Sequence, residues 1–244
     1  VAIDEVRAAL DHEGCFVSKL AVPQGEEAAF VTTLARSLGQ LYVPPDCDPQ
    51  EPIIRTAPTE EDDAAPFDRP EAIGWHGDFA THEDRPELSL VYITRPDPRG
   101  GDYGAWRLAS VAKVLDFLRE SSAGRDAFEL LSNEPLPMSY DEAQEPKWFK
   151  VIEPRPAGKL GLRFYTPSIR RGCKSACGEV PAHVNSALNQ LNHAADQVQR
   201  IVPTEAGSLL VTSNWFSLHD RVQQSVNVTG PNREALLCFV ARCS

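Results

Sequence analysis

Apolar residues recur at intervals of three and four positions in four segments of the chain, and this period predicts four amphipathic helices. The segments are 2–12, 26–38, 110–120 and about 181–200. Gly14 and Gly39 follow the first two segments and predict where those helices end. Ser110 begins the third segment and predicts its N-cap.

Between these segments, short apolar runs rich in β-branched residues and bounded by proline, glycine or asparagine predict strands. The runs cover residues 15–20, 41–43, 53–56, 88–96, 128–131, 148–152, 160–165, 207–213 and 234–242. Many short strands framed by a few helices predict a mainly β, α+β fold, a β-sandwich or jelly roll with helices packed outside it. No repeat with a period of about 20–50 residues is present, which argues against solenoids and propellers.

The length of 244 residues fits one large domain, and no linker-like change in composition divides it, so we expect a single domain spanning residues 1–244. The formal net charge of −11 argues against nucleic acid as a partner, because phosphate binding needs a basic surface. No apolar run approaches the ~20 residues that cross a bilayer. The acidic, amphipathic first segment lacks the pattern of a signal peptide. We therefore expect a cytoplasmic protein without a membrane partner.

The six cysteines are expected to be reduced thiols in such a location. Cys15 and Cys238 lie in apolar runs and are predicted to be buried. Cys173 and Cys177 have a spacing that could suit zinc, but a structural zinc site needs four ligands and no second pair lies nearby.

The stretch Trp75–Tyr103 contains the pattern His76-Gly77-Asp78, which follows Gly74-Trp75 at the start of a predicted strand. On an extended strand every second side chain points to the same face, so this imidazole and this carboxylate can reach one point in space. One further nitrogen ligand would complete a facial triad of two histidines and one carboxylate, which leaves three positions of an Fe(II) ion open. We predict that His219, in SLLVTSNWFSLHDR near the C-terminus, is that ligand.

Each of these residues has an alternative interpretation. A second triplet of the same form, His82-Glu83-Asp84, lies in the polar connector before the apolar run, a setting that favours the first triplet. His219 on its own could equally be a buried, hydrogen-bonded histidine. Arg233 begins the last apolar strand, where a guanidinium could grip a carboxylate through two parallel hydrogen bonds or simply pair with a surface acid.

Together these features resemble the Fe(II)/2-oxoglutarate-dependent oxygenases, in particular the taurine dioxygenase and clavaminate synthase group. The resemblance covers Trp75–Tyr103 and Gly207–Arg242. Members of this group have the His-x-Asp pair, a strand, and then a proline-containing turn with Gly-Gly, which here is PDPRGGD at residues 96–102. They end with an apolar strand, an asparagine, the distal histidine, an arginine two residues later and a 2-oxoglutarate-binding arginine. Here the asparagine is Asn214 and the two arginines are Arg221 and Arg233.

The resemblance implies a double-stranded β-helix, or jelly-roll, core and a non-haem iron dioxygenase that uses Fe(II), 2-oxoglutarate and O₂. It implies that His76, Asp78 and His219 bind the iron and that Arg233 binds the distal carboxylate of 2-oxoglutarate. Tyr103 replaces the threonine whose hydroxyl helps to hold 2-oxoglutarate in the group. With Arg221, it completes the co-substrate site that the resemblance implies.

The implied reaction is hydroxylation of a C–H bond of a small polar substrate, such as an amino acid or a biosynthetic intermediate, with release of succinate and CO₂. A carboxylate at position 78 argues against halogenation, since related halogenases have a small residue there. The group's second C-terminal arginine is missing, and Leu237 lies roughly at its position, so the acid-gripping residues of the group do not carry over. The candidate substrate contacts are Phe79, His82, Arg95, Arg163 and Trp215.

The proline-rich, acidic segment Ala57–Pro70 has no apolar period and is predicted to be a surface loop. Because it precedes the proposed iron-binding residues, we expect it to act as a lid, with a solvated connector as the alternative. Two other functions stay open: a non-catalytic jelly-roll protein that binds a small molecule, and a zinc hydrolase that uses the same three ligands.

Overall fold

The structure of the protein is a computed structural model, and it describes residues 1–45, 47–48, 50–61, 64–141, 143–227 and 229–243. The helices of this part of the chain are α1 (Ile3–Glu13), α2 (Glu27–Leu38), α3 (Val111–Glu120), α4 (Ser122–Asn133), α5 (Thr166–Cys177) and α6 (Ala182–Val198). Four of them, α1, α2, α3 and α6, lie where the apolar period predicts helices.

Helix α4 corrects one prediction, since residues 128–131 were expected to form a strand. The Ser121 side chain accepts a hydrogen bond from Gly124 N and so begins the helix, and Ala127 and Leu131 form its buried face. A short apolar run is compatible with either a strand or a buried helix face, and here the packing of α4 on α3 and α6 favours the helix. Helix α5, which the apolar period did not predict, contains buried Cys173 and exposed Cys177 as free thiols.

The first half of the chain contributes the strands β1 (Cys15–Lys19), β2 (Gly39–Tyr42), β3 (Ile54–Thr56), β4 (Leu88–Arg95), β5 (Trp106–Ser110) and β6 (Leu136–Met138). The second half contributes β7 (Lys147–Phe149), β8 (Ile152–Pro154), β9 (Leu160–Leu162), β10 (Arg200–Val202), β11 (Ser208–Ser213), β12 (Ser217–Arg221) and β13 (Glu234–Cys243). The predicted strands at 148–152 and 160–165 are realised, with shifted ends, as the short strands β7, β8 and β9.

Two antiparallel sheets form the core. The large sheet has the order β1-β11-β4-β13-β2, with β3 also paired to β13, and the small sheet has the order β10-β5-β12. A cluster between the sheets contains Ile93, Leu210 and Ala235 from the large sheet and Trp106 and Leu108 from the small one. The predicted α+β fold with a jelly-roll core is confirmed.

Helices cover the outside of this core on both sides. Helices α1 and α2 bury residues such as Val6 and Leu34 against the outer face of the large sheet, where Leu90 and Val211 are fully buried. Helices α3 to α6 build the largest apolar cluster, which also includes Leu218 of β12. The described helices contain none that is long and apolar enough to cross a membrane.

Candidate active site

The edge strand β12 carries His219, and the extended residues around His76 are hydrogen-bonded to it. The N–H of His76 donates to the carbonyl of His219 and the N–H of His219 donates to the carbonyl of His76, both over 3.0 Å. Directly opposed residues of an antiparallel pair place their side chains on the same face. The two imidazole rings accordingly lie 4.3 Å apart between centroids.

Asp78 completes the group from two positions along the chain. Its Oδ1 lies 3.5 Å from His76 Nε2 and its Oδ2 lies 3.3 Å from His219 Nε2. One ligand atom from each of the three residues lies within 4.8 Å of the others, and no other trio of this kind occurs in the described part of the chain. The structure therefore brings together the three residues that the sequence predicted.

Hydrogen bonds orient the two rings differently. His76 Nδ1 lies 2.8 Å from the carbonyl oxygen of Gly74, which assigns the proton to Nδ1 and leaves the Nε2 lone pair facing Asp78. A metal-binding histidine usually donates its second ring N–H in this way. His219 Nδ1 is buried and has no hydrogen-bond partner among the described residues.

The electrostatics of the site favour an ionised Asp78 and a neutral His219, whereas His76 gains a proton more readily than a free histidine. Burial works to raise the pKa of Asp78, but the two histidines overcome it and hold that pKa well below its usual range. Burial lowers the pKa of His219, and the neighbouring His76 adds to this effect. Burial also works to lower the pKa of His76, but the hydrogen bond and charge of Asp78 raise it overall. Two nitrogens and one anionic oxygen form a donor set that suits a divalent transition metal.

A polar network on the other side of the small sheet fixes the spacing of the two ligand segments. Asp220, next to His219, accepts hydrogen bonds from Gly74 N over 2.8 Å and from Arg107 Nη1 over 2.9 Å. The Arg107 guanidinium also lies 4.6 Å from the centroid of the Trp75 ring. The residues flanking both histidines are therefore tied to each other.

Arg233 presents a buried cation without an anionic partner. Its side chain is 4 % exposed, no carboxylate of the described residues lies within ion-pair distance, and Nε lacks a hydrogen-bond partner there. Within the described part of the chain, its side chain forms one hydrogen bond, from Nη1 to Gln224 Oε1 over 3.5 Å. Burial, with a further effect from Arg221, lowers the pKa of Arg233 to about 10. A buried guanidinium with unused donors is suited to an anionic ligand.

Gly104 makes room for this arginine. A Cβ atom at position 104 would lie 2.7 Å from both Cδ and Nε of Arg233, and the residue has a φ of +69°. Tyr103, the preceding residue, is half-buried, and Arg99 lies 5.3 Å from the centroid of its ring.

Arg221, also assigned to the co-substrate site from the sequence, makes structural contacts. Its Nη2 donates to the carbonyls of Arg69 and Glu71 over 2.8 and 2.9 Å, and its Nη1 donates to the carbonyl of Val222. Burial lowers the pKa of Arg221 to about 10. Arg221 thus binds the end of the 57–70 segment to β12, while the described residues offer its Nε no partner.

A family model described as taurine catabolism dioxygenase TauD, TfdA family matches residues 2–238. The chain belongs to this family. Among solved structures, it is similar to an asparagine oxygenase in complex with Fe(II), 2S,3S-3-hydroxyasparagine and succinate, with a TM-score of 0.80 and 17% identity over 98% of this chain and 78% of that one. No curated protein sequence matches it significantly.

Two further structures share the TauD, TfdA fold of this chain. The non-heme iron oxygenase OrfP, in complex with Fe and alpha-ketoglutaric acid, has a TM-score of 0.72 and 16% identity over 98% of this chain and 78% of that one. The PvcB protein from Pseudomonas aeruginosa has a TM-score of 0.71 and 16% identity over 98% of this chain and 80% of that one.

The five candidate substrate contacts of this TauD, TfdA family member lie in different surroundings. Phe79 directly follows Asp78, has a positive φ of 56°, and packs edge-on against His82 with 5.2 Å between ring centroids. Strained backbone of this kind is enriched at functional sites. The rings of Tyr42 and Phe239 complete an aromatic cluster around Phe79.

The other three candidates are engaged in contacts with protein groups. Arg95 is exposed and pairs with Glu234 over 3.4 Å. Arg163 is buried, pairs with Glu153 over 2.9 Å and donates to the carbonyl of Ala80 over 3.1 Å. The ring of Trp215 lies between two guanidinium groups, those of Arg85 at 4.0 Å and Arg155 at 3.8 Å.

The sequence analysis missed three buried polar residues near the site, Arg85, Ser89 and Gln224. Arg85 donates to the carbonyl of Leu162 over 3.2 Å, and its Nη2 lies 2.9 Å from where a Cβ on Gly77 would be. Burial lowers the pKa of Arg85 to about 9. These residues occur in ordinary polar connectors and strands, so only their burial could have marked them.

Proposed function

We propose that this protein is an Fe(II)- and 2-oxoglutarate-dependent dioxygenase that hydroxylates a C–H bond of a small amino-acid-like substrate. The observation that carries the proposal is the convergence of His76, Asp78 and His219 in a jelly roll that also buries an unpaired arginine, Arg233. Membership of the TauD, TfdA family supports the same assignment.

The residues fit the iron and the co-substrate. His76 Nε2, His219 Nε2 and one Asp78 oxygen would hold Fe(II), and the unused donors of Arg233 would hold the distal carboxylate of 2-oxoglutarate. When bound, the iron supplies, with O₂, the oxidising power that hydroxylates the substrate while 2-oxoglutarate is converted to succinate and CO₂.

The chain's own residues position the reactants and exclude water. The hydrogen bond from His76 Nδ1 to Gly74 O keeps the Nε2 lone pair directed into the site. Apolar side chains between the two sheets, including Ile93, Trp106 and Leu210, form a buried environment, and Leu108 of this cluster pairs with His219 across β5 and β12. Such an environment strengthens the attraction between Arg233 and an anion. Tyr103 and Arg221 remain proposed members of the co-substrate site, and the 57–70 segment remains a proposed lid.

The proposed substrate class follows the ligands that the structural neighbours were crystallised with. The asparagine oxygenase structure contains a hydroxyasparagine, and an OrfP structure contains (3S)-hydroxy-L-Arg and succinate. For this chain we propose an amino acid or a derivative, with Phe79 and His82 as contacts because Phe79 directly follows Asp78 and His82 packs against Phe79. We also propose that the protein acts in the cytoplasm, which cell fractionation would test.

The decisive experiment is an anaerobic titration of the protein with Fe(II) and 2-oxoglutarate, followed by absorption spectroscopy. A charge-transfer band in the visible range is expected for the wild type and for His12→Ala, a control at an exposed histidine outside the site. The band should be lost in His76→Ala and Asp78→Ala. Absence of the band in the wild type would support a non-catalytic binding protein instead.

A succinate-release assay across a panel of amino acids and their derivatives then identifies the substrate. Release that depends on both O₂ and one panel member is the expected result. Turnover that continues without O₂ would support the zinc hydrolase.

A further inference from the structure

Two buried side chains outside the triad are connected to Asp78 by continuous hydrogen bonds. Ser89 Oγ donates to Asp78 Oδ2 over 2.5 Å, and Asn214 Nδ2 donates to Ser89 Oγ over 2.9 Å. Asn214 Oδ1 accepts from the backbone N–H of Asp78 over 2.9 Å. Ser89 and Asn214 are 1 % and 0 % exposed, so bulk water does not compete for these bonds.

The direction of each hydrogen bond is determined by its neighbours. Asn214 Nδ2 also donates to the carbonyl of Pro86 over 3.1 Å, so reversing the amide would set its oxygen against that carbonyl and its NH₂ against the Asp78 N–H. Because Ser89 Oγ accepts from Asn214, its single hydrogen is left for Asp78 Oδ2. The set of bonds therefore holds both the backbone and the carboxylate of Asp78.

This arrangement distinguishes the two oxygens of Asp78. Each oxygen faces one imidazole at a similar distance, 3.5 Å for Oδ1 and 3.3 Å for Oδ2, so proximity alone selects neither as the metal ligand. The hydroxyl of Ser89 distinguishes the two oxygens, because it donates to Oδ2 and leaves Oδ1 without a protein donor among the described hydrogen bonds.

We propose that Ser89 and Asn214 are positioning residues that make Asp78 a metal ligand through one oxygen, Oδ1. The inference rests on the proposed function, because it concerns how the triad binds a metal. Binding through both carboxylate oxygens would take a further coordination position. Together with two imidazoles, that would leave two open positions instead of three. A chelating 2-oxo acid takes two positions, so the hydrogen bond from Ser89, by keeping Oδ2 off the metal, would leave a third position open.

The test is calorimetric titration of the apo protein with Co(II) alone. Ser89→Ala and Asn214→Ala should each bind Co(II) about 10- to 100-fold more weakly than the wild type, as for other residues that orient metal ligands. The double variant should be no more than about threefold weaker than the worse single variant, because both residues act through one set of bonds. Ser89→Thr, which keeps the hydroxyl, should restore most of the affinity.

Ser208→Ala provides the matched control. Ser208 is a buried serine at the start of β11 whose Oγ accepts a hydrogen bond from Glu205 N, outside the site. The Ser208→Ala variant should bind Co(II) like the wild type. X-ray absorption spectroscopy of the Co(II)-loaded proteins supplies a second readout: one carboxylate oxygen is expected at the metal in the wild type and two in Ser89→Ala.

The outcomes separate this inference from the proposed function. A wild type that does not bind Co(II) overturns both. A wild type that binds Co(II), with equal affinity and the same coordination in Ser89→Ala, overturns this inference alone, as does an additive loss in the double variant. If Ser89→Ala does not fold, judged by circular dichroism, Ser89→Cys carries the same test because a thiol is a weak donor of similar shape.

Discussion

Replacing Arg233 by methionine should make the apo protein more stable while it destroys 2-oxoglutarate binding. The guanidinium is almost fully buried, has no anionic partner among the described residues, and has its pKa lowered to about 10 by burial together with Arg221, which indicates the cost of keeping it charged there. At 1.36 kcal/mol for each pKa unit, the cost is ~3 kcal/mol. Methionine keeps an apolar stem and removes the charge, so a gain of about 1–3 kcal/mol is expected.

The same substitution removes the proposed anchor of the co-substrate. A hydrogen bond to a charged group contributes about 1.5–3 kcal/mol, and a guanidinium can form two in parallel with a carboxylate. A loss of at least ~3 kcal/mol corresponds to an increase of about 100-fold or more in the dissociation constant of 2-oxoglutarate. Arg233→Lys should have a dissociation constant for 2-oxoglutarate between those of the wild type and Arg233→Met, because lysine keeps the charge but cannot form two parallel hydrogen bonds.

Chemical denaturation of the apo protein and titration of the Mn(II)-loaded protein with 2-oxoglutarate measure the two effects. Arg163→Met is the control, since Arg163 is equally buried but is paired with Glu153 over 2.9 Å. Breaking a buried pair costs about 3–5 kcal/mol, so this variant should lose stability. An Arg233→Met protein that is less stable than the wild type, or that binds 2-oxoglutarate within about threefold of it, would contradict this prediction.

Three further predictions concern the surroundings of the site. Gly104→Ala should weaken 2-oxoglutarate binding at least about tenfold, because its Cβ would displace Arg233. Gly100→Ala is the control, since Gly100 also has a positive φ but has open space around its Cβ, and it should bind like the wild type. Equal losses for the two variants in a 2-oxoglutarate titration would contradict this prediction. Co(II) affinity should already fall as the pH drops towards 6.5, because the pKa of His76 is raised above that value and protons compete with the metal. A Co(II) affinity, measured by calorimetry, that stays constant down to pH ~6 would contradict this prediction. Trp215→Ala should cost about 3–5 kcal/mol of stability because the ring is buried between two guanidiniums; in a denaturant melt, a loss below ~1 kcal/mol would be inconsistent with that packing.

The iron ligands could be predicted from the sequence because their geometry is local. His76 and Asp78 are two positions apart, a spacing that places both side chains on one face of an extended segment, and the structure keeps them together although a turn begins at Asp78. The regular strand β12 then supplies His219 through two backbone hydrogen bonds to His76. The positive φ of Phe79 lies in the turn that begins at Asp78, and the sequence does not predict it because phenylalanine rarely adopts a positive φ.

The substrate candidates were harder to predict because long side chains take their direction from distant partners. Arg163 and Trp215 remain predicted substrate contacts, and the sequence did not show that Glu153 and two other arginines contact them in the folded protein. The strand predicted at 128–131 was wrong. A run of four residues is too short to show a helical period, and only packing against α3 and α6 distinguishes the two states.

Burial of an arginine does not by itself identify a ligand site. Arg163 uses its donors on Glu153 and a carbonyl, and Arg221 uses both Nη atoms on carbonyls of the chain. Arg85 has unused donors, but its guanidinium is stacked on the face of Trp215. Arg233 forms one long hydrogen bond among the described residues, to a neutral amide, and Gly104 beside it leaves room that a larger residue would fill. Unused donors, adjacent space and an uncompensated charge occur together at Arg233, and an anionic ligand satisfies all three.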